Sequence, residues 1–227
     1  MSYVLYYSPG SSNLVVRMVL EELGITYVDK QVPRKRSDRD STFMQLNPRG
    51  LVPVVVDESN GAVIFETAAI ILYLADKNAR LVPSPASFRA RADCLKWLFM
   101  LSNTLHADLN MRFYSEQYIS GDVEKAGLYE INRQRILDHL EVLDEAIGEH
   151  SGSFFLASGL SICDFYLGCL VRWAQFYPAG YAALPSNELP RFEHLAKMLH
   201  AHQDRPSVQR SLEREGITGP AFVQAPA

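Results

Sequence analysis

The sequence predicts an α/β domain at residues 1–79 followed by an all-α domain at residues 88–216. Three observations predict it. Residues 3–32 read strand, helix, strand; residues 51–65 read as a hairpin around Asn60-Gly61; and strand signals stop beyond Pro83 and Pro85. A shift of that kind marks a domain boundary, and the linker is placed at Asn78 to Ser87.

Tyr3 to Tyr7 is a short aromatic and β-branched run that stops at Pro9-Gly10, as a buried strand ended by a turn does. Ser11, Ser12 and Asn13 are N-cap types, and Val16, Val19, Leu20 and Leu23 then recur at helical spacing before Gly24 ends the pattern. Ile25 to Val32 resumes strand character, so this helix is long enough to cross between parallel strands. Arg34 to Asp40 reads as a charged loop and Asp40 to Leu46 as a weak helix. Leu51 to Val56 is a strand interrupted by Pro53, which belongs at an edge, a bulge or a cis bond. Asn60-Gly61 turns it into an antiparallel strand at Ala62 to Phe65. Glu66-Thr67 then open a helix with Ala68, Ile71, Leu72 and Ala75 on its apolar face.

In the second half, Leu98, Leu101, Leu105 and Leu109 share one helix face, and Ile136, Leu140, Leu143 and Ile147 another; both read as core or subunit interface. Ser161 and Asp164 stand at capping-box spacing, with Leu160 placed to staple onto Phe165. Residues 217–227 read as a tail.

The 227 residues carry 22 Lys+Arg against 26 Asp+Glu, a net charge of −4 that argues against nucleic acid as a partner. Cys94, Cys163 and Cys169 form no CxxC pair and no metal spacing, so neither a disulfide framework nor a metal site is expected. No export signal or apolar run of spanning length is read, and the expected location is cytoplasmic, away from membranes.

Serines at the start of a helix place hydroxyls beside unpaired N–H groups and the positive end of the dipole, which suits an anion. From spacing alone Ser11 and Ser12 read first as helix caps. Glu66 and Thr67 offer a carboxylate, a hydroxyl and free N–H groups at one helix start, suited to a ligand bearing both ammonium and carboxylate, or simply a first-turn acid. A cis bond before Pro53 presents the backbone of Val52 to an extended peptide; an edge-strand proline is the plainer account. Arg49, Lys35 and Arg39 are cations available to a carboxylate or simply solvated. Asn103, His106 and Asp108 interrupt the leucine stripe, and His106 reads equally as cleft or core. Trp97, Phe113, Tyr114, Trp173, Phe176 and Tyr177 are core or the wall of an apolar pocket.

Taken together, YYSPGSSN at 6–13, NPRGLVPVV at 47–55, FETAAI at 65–70 and SICDF at 161–165 resemble the cytosolic glutathione transferases, over a stretch from Tyr3 to about Gly216. The likeness is nearest to bacterial beta- and theta-like classes. It implies a thioredoxin-like first domain and a cytosolic homodimer serving detoxification. It also implies glutathione as co-substrate without a metal, its thiol ionised for attack on a small apolar electrophile. Serine-type classes carry serine where Ser11 stands, and some bacterial relatives carry cysteine where Ser12 stands. A tyrosine, Tyr6 or Tyr7, is the alternative activator, with Tyr7 also a candidate cleft residue. By the same resemblance Glu66 and Thr67 take the γ-glutamyl end, Val52 before Pro53 takes the cysteinyl amide, Arg49 is a candidate for the glycyl carboxylate, and Asn13 lies beside the thiol. Asn103 and His106 are candidate cleft residues. A glutathione-dependent isomerase, ether-cleaving enzyme or dehalogenase shares the same thiolate, and a ligand-binding protein of the same fold is the non-catalytic alternative.

Overall fold

The computed structural model describes residues 3–150 and 153–223. It forms two compact units, Met1–Ser84 with Arg205–Gly219, and Pro85–Asp204 with Pro220–Ala227.

The first unit is built on a four-stranded sheet of β1 (Tyr3–Tyr7), β2 (Tyr27–Gln31), β3 (Val54–Asp57) and β4 (Ala62–Phe65) in the order β2-β1-β3-β4. β1 runs parallel to β2, with Tyr3 opposite Tyr27, and antiparallel to β3, with Tyr6 opposite Val54; β3 and β4 are antiparallel. The parallel pair needs a crossover, which α1 (Asn13–Leu23) supplies. Val16, Val19, Leu20 and Leu23 are buried as their spacing predicts, and Gly24 ends the helix in the left-handed conformation. Pro53 follows a cis peptide bond and β3 starts only at Val54, so the strand is shorter than the apolar run 51–56. Gly61, at φ 75°, makes the turn into β4.

α2 (Ser41–Leu46) is capped by Asp40, whose carboxylate accepts from the Phe43 N–H at 2.8 Å. α3 (Thr67–Asn78) buries Thr67, Ile70, Ile71, Leu74 and Ala75. The expected face was Ala68, Ile71, Leu72 and Ala75; Ala68 and Leu72 are only half-buried, and Thr67, Ile70 and Leu74 join Ile71 and Ala75 on the buried face.

In the second unit, α4 (Phe88–Met100) continues through a π-helical stretch at Leu101–Leu105 into α5 (His106–Phe113). α6 (Asp122–Gly148), α7 (Ile162–Phe176) and α8 (Glu193–Gln203) follow. Leu98, Leu101, Leu105 and Leu109 are buried within this chain, as are Ile136, Leu140, Leu143 and Ile147. Both stripes are therefore core, and the leucine stripe offers no subunit interface. The box at the start of α7 has both halves: Ser161 Oγ accepts from the Cys163 N–H, and Asp164 accepts from the Ser161 N–H at 2.8 Å.

Two boundaries differ from the sequence reading. α9 (Pro206–Glu215), inside the span 88–216 expected to form the helical domain, packs in the first unit against α1. Charge complementarity holds it there: Arg205 pairs with Glu22 at 2.6 Å, Arg210 with Glu21 at 3.0 Å, and Arg214 with Asp29 at 2.8 Å. Residues 217–223 are not a loose tail either. Ala221, Phe222 and Val223 are buried, and Gln175 donates to the Phe222 carbonyl at 2.7 Å. Gly168 makes room for this: a Cβ there would lie 2.7 Å from the Phe222 ring. Residues 224–227 lie outside the described residues.

Candidate active site

The serines open α1 without capping it. Ser12 occupies the N-cap position in helical conformation with no side-chain cap, and its hydroxyl donates instead to the Val52 carbonyl at 3.2 Å. The cap reading of Ser12 is thereby corrected: a residue already in helical φ/ψ cannot fold its oxygen back onto its own first turn. The Ser11 backbone closes the turn, its N–H on the Ser8 carbonyl and its carbonyl accepting from Leu14 N–H. Asn13 accepts from the Ser8 N–H at 3.1 Å through Oδ1 and donates from Nδ2 to Glu215 at 2.7 Å.

Glu215 is the residue that sequence reasoning missed. Its carboxylate, fully buried, accepts from the Gly10 N–H at 2.8 Å, from Asn13, and from Arg17 Nε at 3.0 Å. Burial pushes its carboxyl up, and the Gly10, Arg17 and Asn13 donors pull it back toward ionisation. Between 198 and 205 residues separate Glu215 from these partners, and no local pattern announces such a pairing.

Val52 precedes the cis-bonded Pro53, in the same unit. Glu66, just before α3, has φ 71° and ψ 117°, a conformation that few residues other than glycine adopt. Its carboxylate is paired with Arg49 Nη1 at 2.8 Å, both side chains exposed. Arg49 therefore faces Glu66, the residue expected at the opposite end of a bound tripeptide. Thr67 is buried behind Glu66. Arg39 donates to the carbonyls of Pro33, Arg34 and Gly50, bracing its own loop, whereas the Lys35 side chain is exposed with no hydrogen bond or ion pair among the described residues.

Tyr7 lies under the Arg17 guanidinium, 4.6 Å from ring centroid to charge, and Tyr6 packs on Phe43 and beneath Lys30. The other candidates sit in the second unit. Asn103 is exposed and accepts from Ser102 Oγ at 2.9 Å. His106 is packed against Tyr166 and Trp173, with Nδ1 2.7 Å from the Tyr166 hydroxyl, and burial lowers its pKa to about 4. The ring is half-buried. Asp108 is likewise occupied, with Arg135 at 3.1 Å and His139 at 3.0 Å. Trp97 packs on Phe155, and Phe113 on Tyr114 and Tyr177.

The sheet order and the strand entered through a cis proline, with a helical second unit, define the thioredoxin-like two-unit class. A family model for the N-terminal domain of glutathione S-transferases matches residues 14–77. Glutathione S-transferase GstA of Escherichia coli O157:H7 is 27% identical over 216 residues, covering 94% of this chain and 98% of the relative. A GST-like protein of Streptococcus mutans is 30% identical over 224 residues, covering 91% and 80%. A Burkholderia graminis glutathione transferase, solved with two glutathione molecules per subunit, superposes with a TM-score of 0.80 at 26% identity, covering 93% of this chain and 88% of that one. The chain belongs to the glutathione S-transferase family, and its enzyme class is that of a transferase. Among the described residues no helix is long and apolar enough to cross a membrane.

Proposed function

We propose that the first unit binds glutathione and ionises its thiol beside Ser11 or Ser12, and that the thiolate attacks a small apolar electrophile. The observation that carries this reading is the 3.2 Å hydrogen bond from Ser12 Oγ to the Val52 carbonyl. It joins the head of α1 to the strand that begins after Pro53. A hydroxyl, the positive end of a helix and an extended backbone edge thus stand together, a setting for a peptide with a nucleophilic sulfur.

Ionisation is the chemistry such a site supplies. A free thiol with pKa about 8.5 is a few per cent thiolate at neutral pH, and lowering it by two units takes about 2.7 kcal/mol of preferential thiolate stabilisation. One charge-assisted hydrogen bond with the dipole is of that size. Ser12 spends its proton on Val52, which leaves Ser11, whose hydroxyl has no hydrogen bond among the described residues, as the favoured donor to sulfur. In this reading Glu66 and Thr67 hold the γ-glutamyl end with Arg49 beside them, Val52 pairs with the cysteinyl amide, Asn13 sets the turn, and Lys35 meets the glycyl carboxylate. GstA and the Burkholderia graminis protein support it by name and by bound glutathione. The assignment extends to a bacterial serine-type subclass and a cytoplasmic homodimer serving detoxification, with no metal, membrane or nucleic acid involved. Light scattering across a dilution series tests the dimer; a monomeric mass throughout removes it.

The deciding experiment is a pH titration of thiolate absorbance on adding glutathione to the purified protein. A bound thiol titrating well below 8.5 is expected. Saturable binding without a thiolate band points to a ligand-binding protein, and no binding at all overturns the reading.

A further inference from the structure

The geometry points to Glu215 as a positioning residue for thiol activation, holding the Pro9–Ser12 turn from the far end of the chain. The inference rests on the function proposed above, and names the group that sets where its donor points.

Glu215 Oε2 takes the Gly10 N–H at 2.8 Å, immediately before Ser11. Oε1 takes Asn13 Nδ2 at 2.7 Å, immediately after Ser12. The two serines are therefore bracketed by bonds to one carboxylate. Asn13 passes the constraint on: its Oδ1 accepts from the Ser8 N–H, at the other side of the turn. Gly10 itself has φ 72°, so the turn has a flexible residue at the point that Glu215 clamps. Arg17 Nε, on Oε1 at 3.0 Å, fixes the carboxylate in turn, and Asp29 and Tyr27 hold the other side of the guanidinium at 2.7 and 3.2 Å.

Three donors and no acceptor face the carboxylate, which is the setting of an ionised group. The side chain is fully buried, so its place is set by these bonds and not by solvent. The other charged groups near it are Arg17 on α1, Asp29 on β2, and Arg214 on its own helix, paired with Asp29. Glu215 touches neither serine, and it acts by fixing the turn that carries them.

The sign of the effect separates this role from simple charge. Removing a carboxylate near a thiolate would by charge alone favour the thiolate and lower the bound thiol's pKa. Releasing the turn moves the donor off the sulfur and raises it.

The test compares wild type, Glu215→Gln, Glu215→Asp and Arg205→Ala in the full chain, with glutathione as the probe. Gln cannot accept from Gly10, Asn13 and Arg17 together, and Asp keeps the charge but falls one methylene short. In both, the thiolate midpoint is expected to rise by about one unit. Below the wild-type midpoint that cuts the thiolate fraction and kcat about tenfold, with KM for glutathione within twofold of wild type. Arg205→Ala breaks a different α9 pair and is expected to lower stability without moving the midpoint. An unchanged or lowered midpoint in Glu215→Gln, a wild-type midpoint in Glu215→Asp, or an equal shift in Arg205→Ala overturns the assignment while leaving glutathione activation intact. If wild type itself shows no thiolate on glutathione, the functional reading fails first and this role with it.

Discussion

Arg17 Nε lies 3.0 Å from Glu215 Oε1, and neither side chain reaches solvent. The pair joins α1 to α9 with Asp29 on the guanidinium's other edge at 2.7 Å and the Tyr7 ring against its face. A buried ion pair is tolerated when hydrogen bonds satisfy the charges, and here the carboxylate has two further donors, Gly10 and Asn13. Around it lies a partly buried network in which Glu21 and Glu22 meet Arg205, Arg210 and Arg214.

Arg17→Ala is expected to destabilise the fold by about 3 to 5 kcal/mol, because it leaves Glu215 buried without its counter-ion. Urea unfolding measures the loss. Replacing both partners with apolar residues, Arg17→Met with Glu215→Leu, should recover most of it, since no uncompensated charge remains. A double variant no better than Arg17→Ala alone would show that the charges are not what holds α9 to α1.

What was legible in the sequence was local. Tyr3–Tyr7, the stripe of α1, the Asn60-Gly61 hairpin and the Ser161/Asp164 box each follow from neighbours within a turn or two, and each is in the structure. Pro53 announced a bend, and a cis bond is there. The position of α9 was not legible, because its amphipathic pattern fits any apolar surface; only the matching of Arg205, Arg210 and Glu215 to α1 places it. The same limit applied to residues 217–223, part of the stretch 217–227 whose two prolines read as a tail, where burial of Phe222 depends on the missing Cβ of Gly168. Within the site, residue types at helix starts were readable, but which hydroxyl faces Val52 was not.

His106 makes stability depend on pH. Burial lowers its pKa to about 4 in the folded chain, against about 6.5 unfolded. Below pH 6.5 the unfolded chain takes up the proton first, so stability falls as pH drops from about 6.5 to 4, by on the order of 3 kcal/mol from this residue. His106→Asn removes the titration. Its urea midpoint should change less between pH 7 and pH 5 than that of wild type; equal slopes in the two proteins would contradict the burial argument.

The two serines separate by their existing contacts. Ser11→Ala should raise the pKa of bound glutathione by about one to two units, equivalent to about 1.4 to 2.7 kcal/mol, and slow conjugation at neutral pH. Ser12→Ala frees the Val52 carbonyl and should leave the titration in place. Thiolate absorbance against pH in both variants decides between them. A wild-type curve for Ser11→Ala with a shifted one for Ser12→Ala reverses the assignment, and two wild-type curves move activation to Tyr6, Tyr7 or a backbone N–H.

Glu66 combines backbone strain with a ligand role, and the two separate by substitution. A non-glycine residue held at φ 71° and ψ 117° costs on the order of 1 to 3 kcal/mol. Glycine relieves that, at an unfolded-state cost of about 0.4 to 1 kcal/mol and the loss of the exposed Arg49 pair, worth at most about 1 kcal/mol. Glu66→Gly is therefore expected to match or exceed wild type in apo Tm. Its glutathione affinity should nonetheless fall by about 1.5 to 3 kcal/mol, the loss of a charged hydrogen bond, or roughly ten- to 150-fold in Kd. Glu66→Ala keeps the strain and loses the same contact, so it should bind as weakly and melt lower than Glu66→Gly. Calorimetry and thermal unfolding of the three proteins separate the effects. Unchanged affinity in both variants removes Glu66 from the site, and a glycine variant melting below the alanine one removes the strain.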